Sequence, residues 1–166
     1  MAYAKIIATS IDPAKVAFTY TTNSIFDNVS LQSTYMTKDM ATKDGVSLGE
    51  NYALSADERE AFDVILDTVM SDIYEIFLKQ TSGVSNAFTL STTEVKVIIL
   101  DNAAYNENVL KIVDMALYDC IITGCLKGWF ESCSHIDLHK QVYAKYVMVK
   151  EQLRRRLFQL KKKRAI

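Results

Sequence analysis

Proline is almost missing from this chain, with Pro13 alone in 166 residues, and glycine stands at five. So little of either excludes a collagen-like repeat or a flexible linker, and it leaves helices free to run without an internal break. Long apolar runs are missing too. The most apolar stretch, Cys120 to Leu126, falls far short of the ~20 residues of a membrane span and is bordered by Asp119 and Lys127. The opening MAYAKIIATSIDPAK has too short an apolar run before Asp12 to read as a secretory signal, so a cytoplasmic origin is expected. Cysteine is scarce and odd in number. Cys120, Cys125 and Cys133 cluster in one region, which suits small buried hydrophobes better than a disulfide framework.

At this length one domain with its own core is expected, and 49% hydrophobic with 23% charged residues is an ordinary globular balance. The net charge of −1 conceals an asymmetry. Lys150 to Ile166 holds eight bases and one acid, while the preceding residues hold eleven bases and nineteen acids. An acidic body with a basic tail can attract nucleic acid, or the acidic body of an identical neighbour.

The chain is organised around Val109 to Cys133. Ala116, Cys120, Gly124 and Gly128 recur at every fourth position, one ridge of a helix and a shallow groove for another helix to lie in. Val109, Ile112, Val113, Leu117, Ile121 and Leu126 widen that stripe, and Trp129 and Phe130 close its end. A helix apolar around so much of its circumference belongs at the centre of a fold.

Before it, residues 1–54 show β-type composition without a helical period. Ala2 to Ala8 and Val16 to Thr22 are expected strands, and Asn28 to Thr37 alternates Val29, Leu31, Ser33 and Tyr35 against Ser30, Gln32, Thr34 and Met36, a third strand. Thr37 to Asn51 is polar and glycine-containing, an exposed loop, so that this region reads as an arm or β-extension of the same domain. Ser55 and Glu58 form a capping box that starts a long acidic helix, carried by Phe62, Ile65, Leu66, Val69, Ile73, Ile76 and Phe77 as far as Ser82-Gly83. Residues 86–100 read as a hairpin, Phe88-Thr89-Leu90 followed by Val95 to Leu100. After a short connection a last helix runs from about Leu138 to Leu160 on Leu138, Val142, Tyr146, Val149, Leu153, Leu157 and Leu160. The expected fold is α+β: three long antiparallel-packed helices over residues 55–166, a small hairpin or sheet, and an extended N-terminal β-type arm over 1–54.

Chemistry is hard to find in these residues. Cys133, His135 and His139 offer a thiolate and two imidazoles, but no fourth ligand at a known spacing and no Cys-x-x-Cys or His-Glu-x-x-His. A Cys–His nucleophile lacks an oxyanion loop. Asp63 and Asp67 stand one turn apart on the first long helix, a pairing that usually forms a solvated face unless burial shifts it. No glycine-rich phosphate loop and no calcium loop occurs. Neither an enzyme nor a cofactor, metal or small-molecule substrate is therefore expected. What remains is the tail, Arg154, Arg155, Arg156, Lys161, Lys162, Lys163 and Arg164. Three consecutive arginines fan over about 200° of a helix, which reads as a solvated helix end or an intersubunit ion-pair surface, or as phosphate contact, with no module for reading bases.

From Ser55 onward the layout resembles small structural proteins of tailed bacteriophages and prophages of gut bacteria, of the head-tail connector or tail-completion type. The resemblance is carried by the acidic capped helix beginning Leu54-Ser55-Ala56-Asp57-Glu58, by the β segment Phe88-Thr89-Leu90 and Val95 to Leu100, by the aromatic pair Trp129-Phe130, and by Tyr143-Ala144-Lys145-Tyr146 leading to Leu153-Arg154-Arg155-Arg156-Leu157 and the basic tail. It covers about two-thirds of the chain, and the first fifty residues carry none of it. It implies a non-enzymatic virion component assembled in the bacterial host cytoplasm, a homo-oligomer that forms a ring or docks on one beside neighbouring virion proteins, with non-specific DNA contact open to the tail. The alternative is a stand-alone nucleic-acid-binding or regulatory protein that uses the same basic helix.

Overall fold

The computed structural model describes residues 5–7, 14–47, 49–81, 84–101 and 107–161. In chain order these form β1 (Lys5–Ile7), β2 (Ala14–Thr21), α1 (Thr22–Thr37), a one-turn α2 (Gly49–Tyr52), α3 (Arg59–Thr81), β3 (Phe88–Leu90), β4 (Glu94–Asp101), α4 (Glu107–Ser132) and α5 (Ile136–Lys161). A short 3-10 turn, Ala56–Glu58, leads into α3. The class is α+β as expected, with two corrections: there are four long helices among the described residues, and residues 14–37 are built into the body.

The first correction concerns residues 28–37, which are helix and not strand. Thr21 caps α1, its side chain accepting from the Ser24 amide at 3.2 Å. The buried positions Thr22, Ile25, Phe26, Val29, Ser33 and Thr37 then recur every three or four residues. Three of those core positions hold hydroxyls, and the two within residues 28–37, Ser33 and Thr37, hide the helical period. Their burial is tolerated because both are satisfied. Ser33 donates to the Ser30 carbonyl at 2.9 Å and accepts from the Leu54 amide at 2.9 Å, and Thr37 donates to the Ser33 carbonyl at 2.9 Å. Leu31 and Tyr35, which an alternating pattern turns inward, point to solvent at 56% and 63% exposure.

The second correction replaces the arm by a sheet. Its order is β1-β2-β4-β3, antiparallel throughout, with Phe18 opposite Val97 and Tyr20 opposite Val95. The expected hairpin is present as β3–β4, and β2 lies along β4 over its whole length, supplying the extra strand that an isolated hairpin needs. Val16, Phe18 and Tyr20 of β2 and Val95, Val97 and Ile99 of β4 are buried, and Phe18 meets Phe77 of α3 with ring centroids 6.5 Å apart. Of the expected first strand, only Lys5–Ile7 is described; the other residues from Ala2 to Ala8 lie outside the described residues, as does the Ser82-Gly83 stop.

The central helix holds its place. Every residue from Cys120 to Leu126 is buried, and α4 packs against α1, α3 and α5. The small-residue ridge is where neighbours come close. A Cβ on Gly124 would stand 2.7 Å from Val69 Cγ1 and 2.9 Å from Tyr146 Cε2, and one on Gly128 would stand 2.6 Å from Ile65 Cγ2. Glycine at these two positions thus lets α3 and α5 approach the α4 backbone. Arg59 ties the start of α3 to α1, donating to Asn23 Oδ1 at 2.9 Å and Thr22 Oγ1 at 3.1 Å while lying 5.0 Å over the Phe26 ring.

Between α4 and α5 the chain turns in three residues. Ser134 sits in the left-handed region at φ 56°, the Ser134 amide donates to the Glu131 carbonyl and the His135 amide to the Phe130 carbonyl, both at 3.0 Å. This is the paired closure of a Schellman motif, a position that glycine fills with least strain. Ser134→Gly is therefore expected to stabilise the protein by about 0.5–1 kcal/mol after the entropy of a freer unfolded chain is deducted, a rise of a few degrees in a thermal melt.

Candidate interaction surface

α5 is buried along a narrow seam only. Val142, Tyr146, Val149, Leu153, Leu157 and Leu160 face inward, and the rest of its circumference is largely exposed. The three arginines of the expected site lie on that outer surface near its C-terminal end. Arg154 and Arg155 share Glu151, at 3.5 and 3.7 Å, with side chains 55% and 75% exposed, and Arg156 donates to Gln159 at 3.2 Å. Pairs so exposed contribute at most about 1 kcal/mol each, so their charge remains directed at solvent. Lys161 closes α5, while Lys162, Lys163 and Arg164 lie outside the described residues. Glu151, Arg154, Arg155, Phe158 and Gln159 frame an open depression on this surface.

α3 presents the opposite sign. Glu60, Asp67 and Glu75 are exposed on its outer side. Asp63 accepts from Arg59 Nε at 3.1 Å with its side chain 48% exposed, so Asp63 and Asp67 form a solvated face and not a buried acid pair. Asp72 differs, for it joins α3 to α5, accepting from Lys150 Nζ at 2.9 Å and from the Tyr146 hydroxyl at 3.1 Å. The Lys150 hydrogen bond holds the Asp72 carboxyl below the usual carboxylate range, against some opposing desolvation. A depressed carboxyl stabilises the fold above its unfolded pKa and loses that contribution as pH falls through the folded one. With the group half exposed, the contribution is under about 1 kcal/mol. Asp72→Asn is expected to cost that much at neutral pH and almost nothing at pH values where the native carboxyl is already protonated, as followed by urea unfolding.

Cys133, His135 and His139 are employed locally. His135 caps α5, its Nδ1 accepting from the Leu138 amide at 3.2 Å, and its ring stands edge-on to Tyr52 at 4.8 Å. His139 faces Glu131 at 3.8 Å and Tyr143 at 6.0 Å. Among the described residues no three His, Cys, Asp or Glu side chains gather around a metal-sized space. Cys120 and Cys125 are fully buried, as their composition suggested, and Cys133 is partly buried. Burial pushes the Cys120 thiol up to about 12 and those of Cys125 and Cys133 up as well. Thiolates are the reactive species. A thiol-reactive chromophore is thus expected to modify one cysteine, slowly, in the native protein and all three after denaturation.

One buried polar pair has a signal that sequence reading passed over. Asp114 interrupts the inward stripe between Leu110 and Leu117, and Tyr20 of β2 donates to its Oδ1 at 2.6 Å with both residues buried. Desolvation, then the Asp114 charge, pushes the tyrosine well above its ordinary value, so it stays a proton donor and fixes the sheet against α4.

The fold and its surfaces define an α+β domain with a helical layer of unlike-charged outer faces. Comparison with protein families, with curated proteins and with solved structures finds no match for the chain. No helix among the described residues is long and apolar enough to cross a membrane.

Proposed function

We propose that this protein is a non-enzymatic structural subunit of a tailed bacteriophage or prophage virion, of the head-tail connector or tail-completion type, and that it works by assembling with copies of itself and with neighbouring virion proteins. The observation that carries the reading is the separation of charge onto two exposed helices, acids on α3 and arginines on α5, which favours association between copies over a solitary monomer. The resemblance of the sequence from Ser55 onward to the layout of phage connector proteins is in keeping with it. The basic end of α5 contributes electrostatically to assembly, and any DNA contact it makes is non-specific, because no base-reading element accompanies it.

Exposed charges are screened beyond about 8 Å at physiological salt, and phosphate binding weakens with salt as well, so salt alone does not separate assembly from DNA binding. The variant that changes Arg155, Lys161, Lys162, Lys163 and Arg164 to glutamine does, since it leaves Leu153, Leu157 and Leu160 in place. It is expected to lose oligomer mass in sedimentation while its parent binds DNA weakly and without sequence preference. A variant that keeps its mass but loses tight, sequence-selective DNA binding shown by the parent would overturn the reading in favour of a nucleic-acid-binding protein.

A further inference from the structure

α3 and α5 run in the same direction, both antiparallel to α4. Ile65 and Val69 meet Gly128 and Gly124 in reverse order, and α5 returns along α4 after the turn at Ser134. Val69 and Tyr146 converge on Gly124, and Asp72 binds Lys150, so a residue of α3 lies level with the residue of α5 that is 77 or 78 positions later (146 against 69, 150 against 72).

Each helix also carries an outer strip that is partly apolar. On α5, Ile136, Lys140, Tyr143, Val147 and Arg154 fall within about 60° of arc, and on α3, Glu60, Val64, Asp67, Ser71, Glu75 and Leu78 fall within about 80°. Val64 is 68% exposed, Tyr143 51% and Val147 50%. Glu60, Glu75, Lys140 and Arg154 are exposed as well. Val64 and Leu78 on α3 and Ile136, Tyr143 and Val147 on α5 give each strip an exposed apolar line flanked by charge, which suits an apolar contact with a polar rim.

The spacings match. Val64 to Leu78 is 14 residues and Lys140 to Arg154 is 14, while Glu60 to Glu75 is 15. Setting α3 beside α5 in parallel with an offset of about 80 residues places Glu60 opposite Lys140, Val64 beside Tyr143 and Glu75 opposite Arg154, and puts Ser71, not an acid, next to Glu151. The antiparallel register that also forms two ion pairs, Glu60 with Arg154 and Glu75 with Lys140, sets Val64 against Lys150 and Glu151, whereas the parallel one sets it beside Tyr143. We propose that the α5 strip of one copy docks in parallel on the α3 strip of a second copy in this register. The proposal rests on the assembly reading above and adds the surface that performs it.

The register has a geometric consequence. Within one chain level residues differ by about 78, and across the contact by about 80, so successive copies are displaced along the helix axis by only two residues, about 3 Å. A neighbour at nearly the same height is related mainly by rotation about an axis along the bundle, and the assembly closes into a ring where the contact takes up that small displacement.

The test uses the full chain in sedimentation velocity, with circular dichroism confirming that each variant is folded. The pair E60K/E75K, and separately the pair K140E/R154E, is expected to weaken self-association by at least about tenfold through like-charge contact. The quadruple variant E60K/E75K/K140E/R154E restores both pairs with their signs exchanged and is expected to regain association. If the folded double variants associate as the parent does, or the folded quadruple variant fails to recover, this surface is wrong while the assembly reading stands. A parent that does not self-associate overturns both.

Discussion

Gly124→Leu is expected to destabilise the protein by about 3 kcal/mol or more, at the upper end of overpacking costs, and to lower the melting temperature by roughly 6–12 °C. The cause is local. The Cβ alone would enter the space of Val69 Cγ1 at 2.7 Å and of Tyr146 Cε2 at 2.9 Å. Neither yields easily, because a β-branched side chain in a helix has one preferred rotamer and the Tyr146 ring is held by its hydroxyl on Asp72 at 3.1 Å. Gly124→Ala makes an informative control. It brings the same Cβ against Val69 and Tyr146 but none of the further leucine atoms, and it gains about 1 kcal/mol of helix propensity, so it is expected to destabilise less than leucine. An unchanged midpoint for Gly124→Leu would mean that α3 and α5 do not close over the ridge.

Trp129→Ala is expected to cost about 3–5 kcal/mol, the range for emptying a large aromatic site in a core. Trp129 is 5% exposed, and its indole N–H donates to the Tyr52 carbonyl at 2.8 Å, so the substitution opens a cavity beside α4 and also releases the α2 segment. Trp129→Phe keeps most of the volume and removes only the donor, with an expected cost of about 1–3 kcal/mol. Urea unfolding of the two variants separates packing from hydrogen bonding. A cost below 1 kcal/mol for alanine would show that residues 49–54 are not docked on α4.

How much of this was legible in the sequence depended on whether the inward face of each element was apolar. α3 announced itself by the capping box, and the Glu58 carboxylate does reach back to the Ser55 amide at 2.6 Å. α5 kept a clean line from Leu138 to Leu160, and the hairpin was marked by its β-branched arm. The close-packed ridge of α4 could be read because small residues at every fourth position have few other uses in an apolar helix. α1 escaped because Ser33 and Thr37 occupy core positions and satisfy their hydroxyls on backbone, while Leu31 and Tyr35 stand in solvent and imitate a strand. The β2–β4 pairing joins residues about eighty apart, and a pairing at that range leaves no local pattern. Of the basic tail, the fan of Arg154, Arg155 and Arg156 was legible from helix geometry alone. The matching strip on α3 was not, since its relation to α5 becomes visible only when both helices are laid on α4.

Assembly with copies of itself is the centre of the proposed function. Sedimentation velocity of the full chain at low salt, repeated at high salt and accompanied by negative-stain imaging, tests it most directly. A discrete multiple of the 18.8 kDa chain mass, weakening as salt rises and visible as a closed particle, is the predicted result. A monomer at every concentration and salt would contradict it.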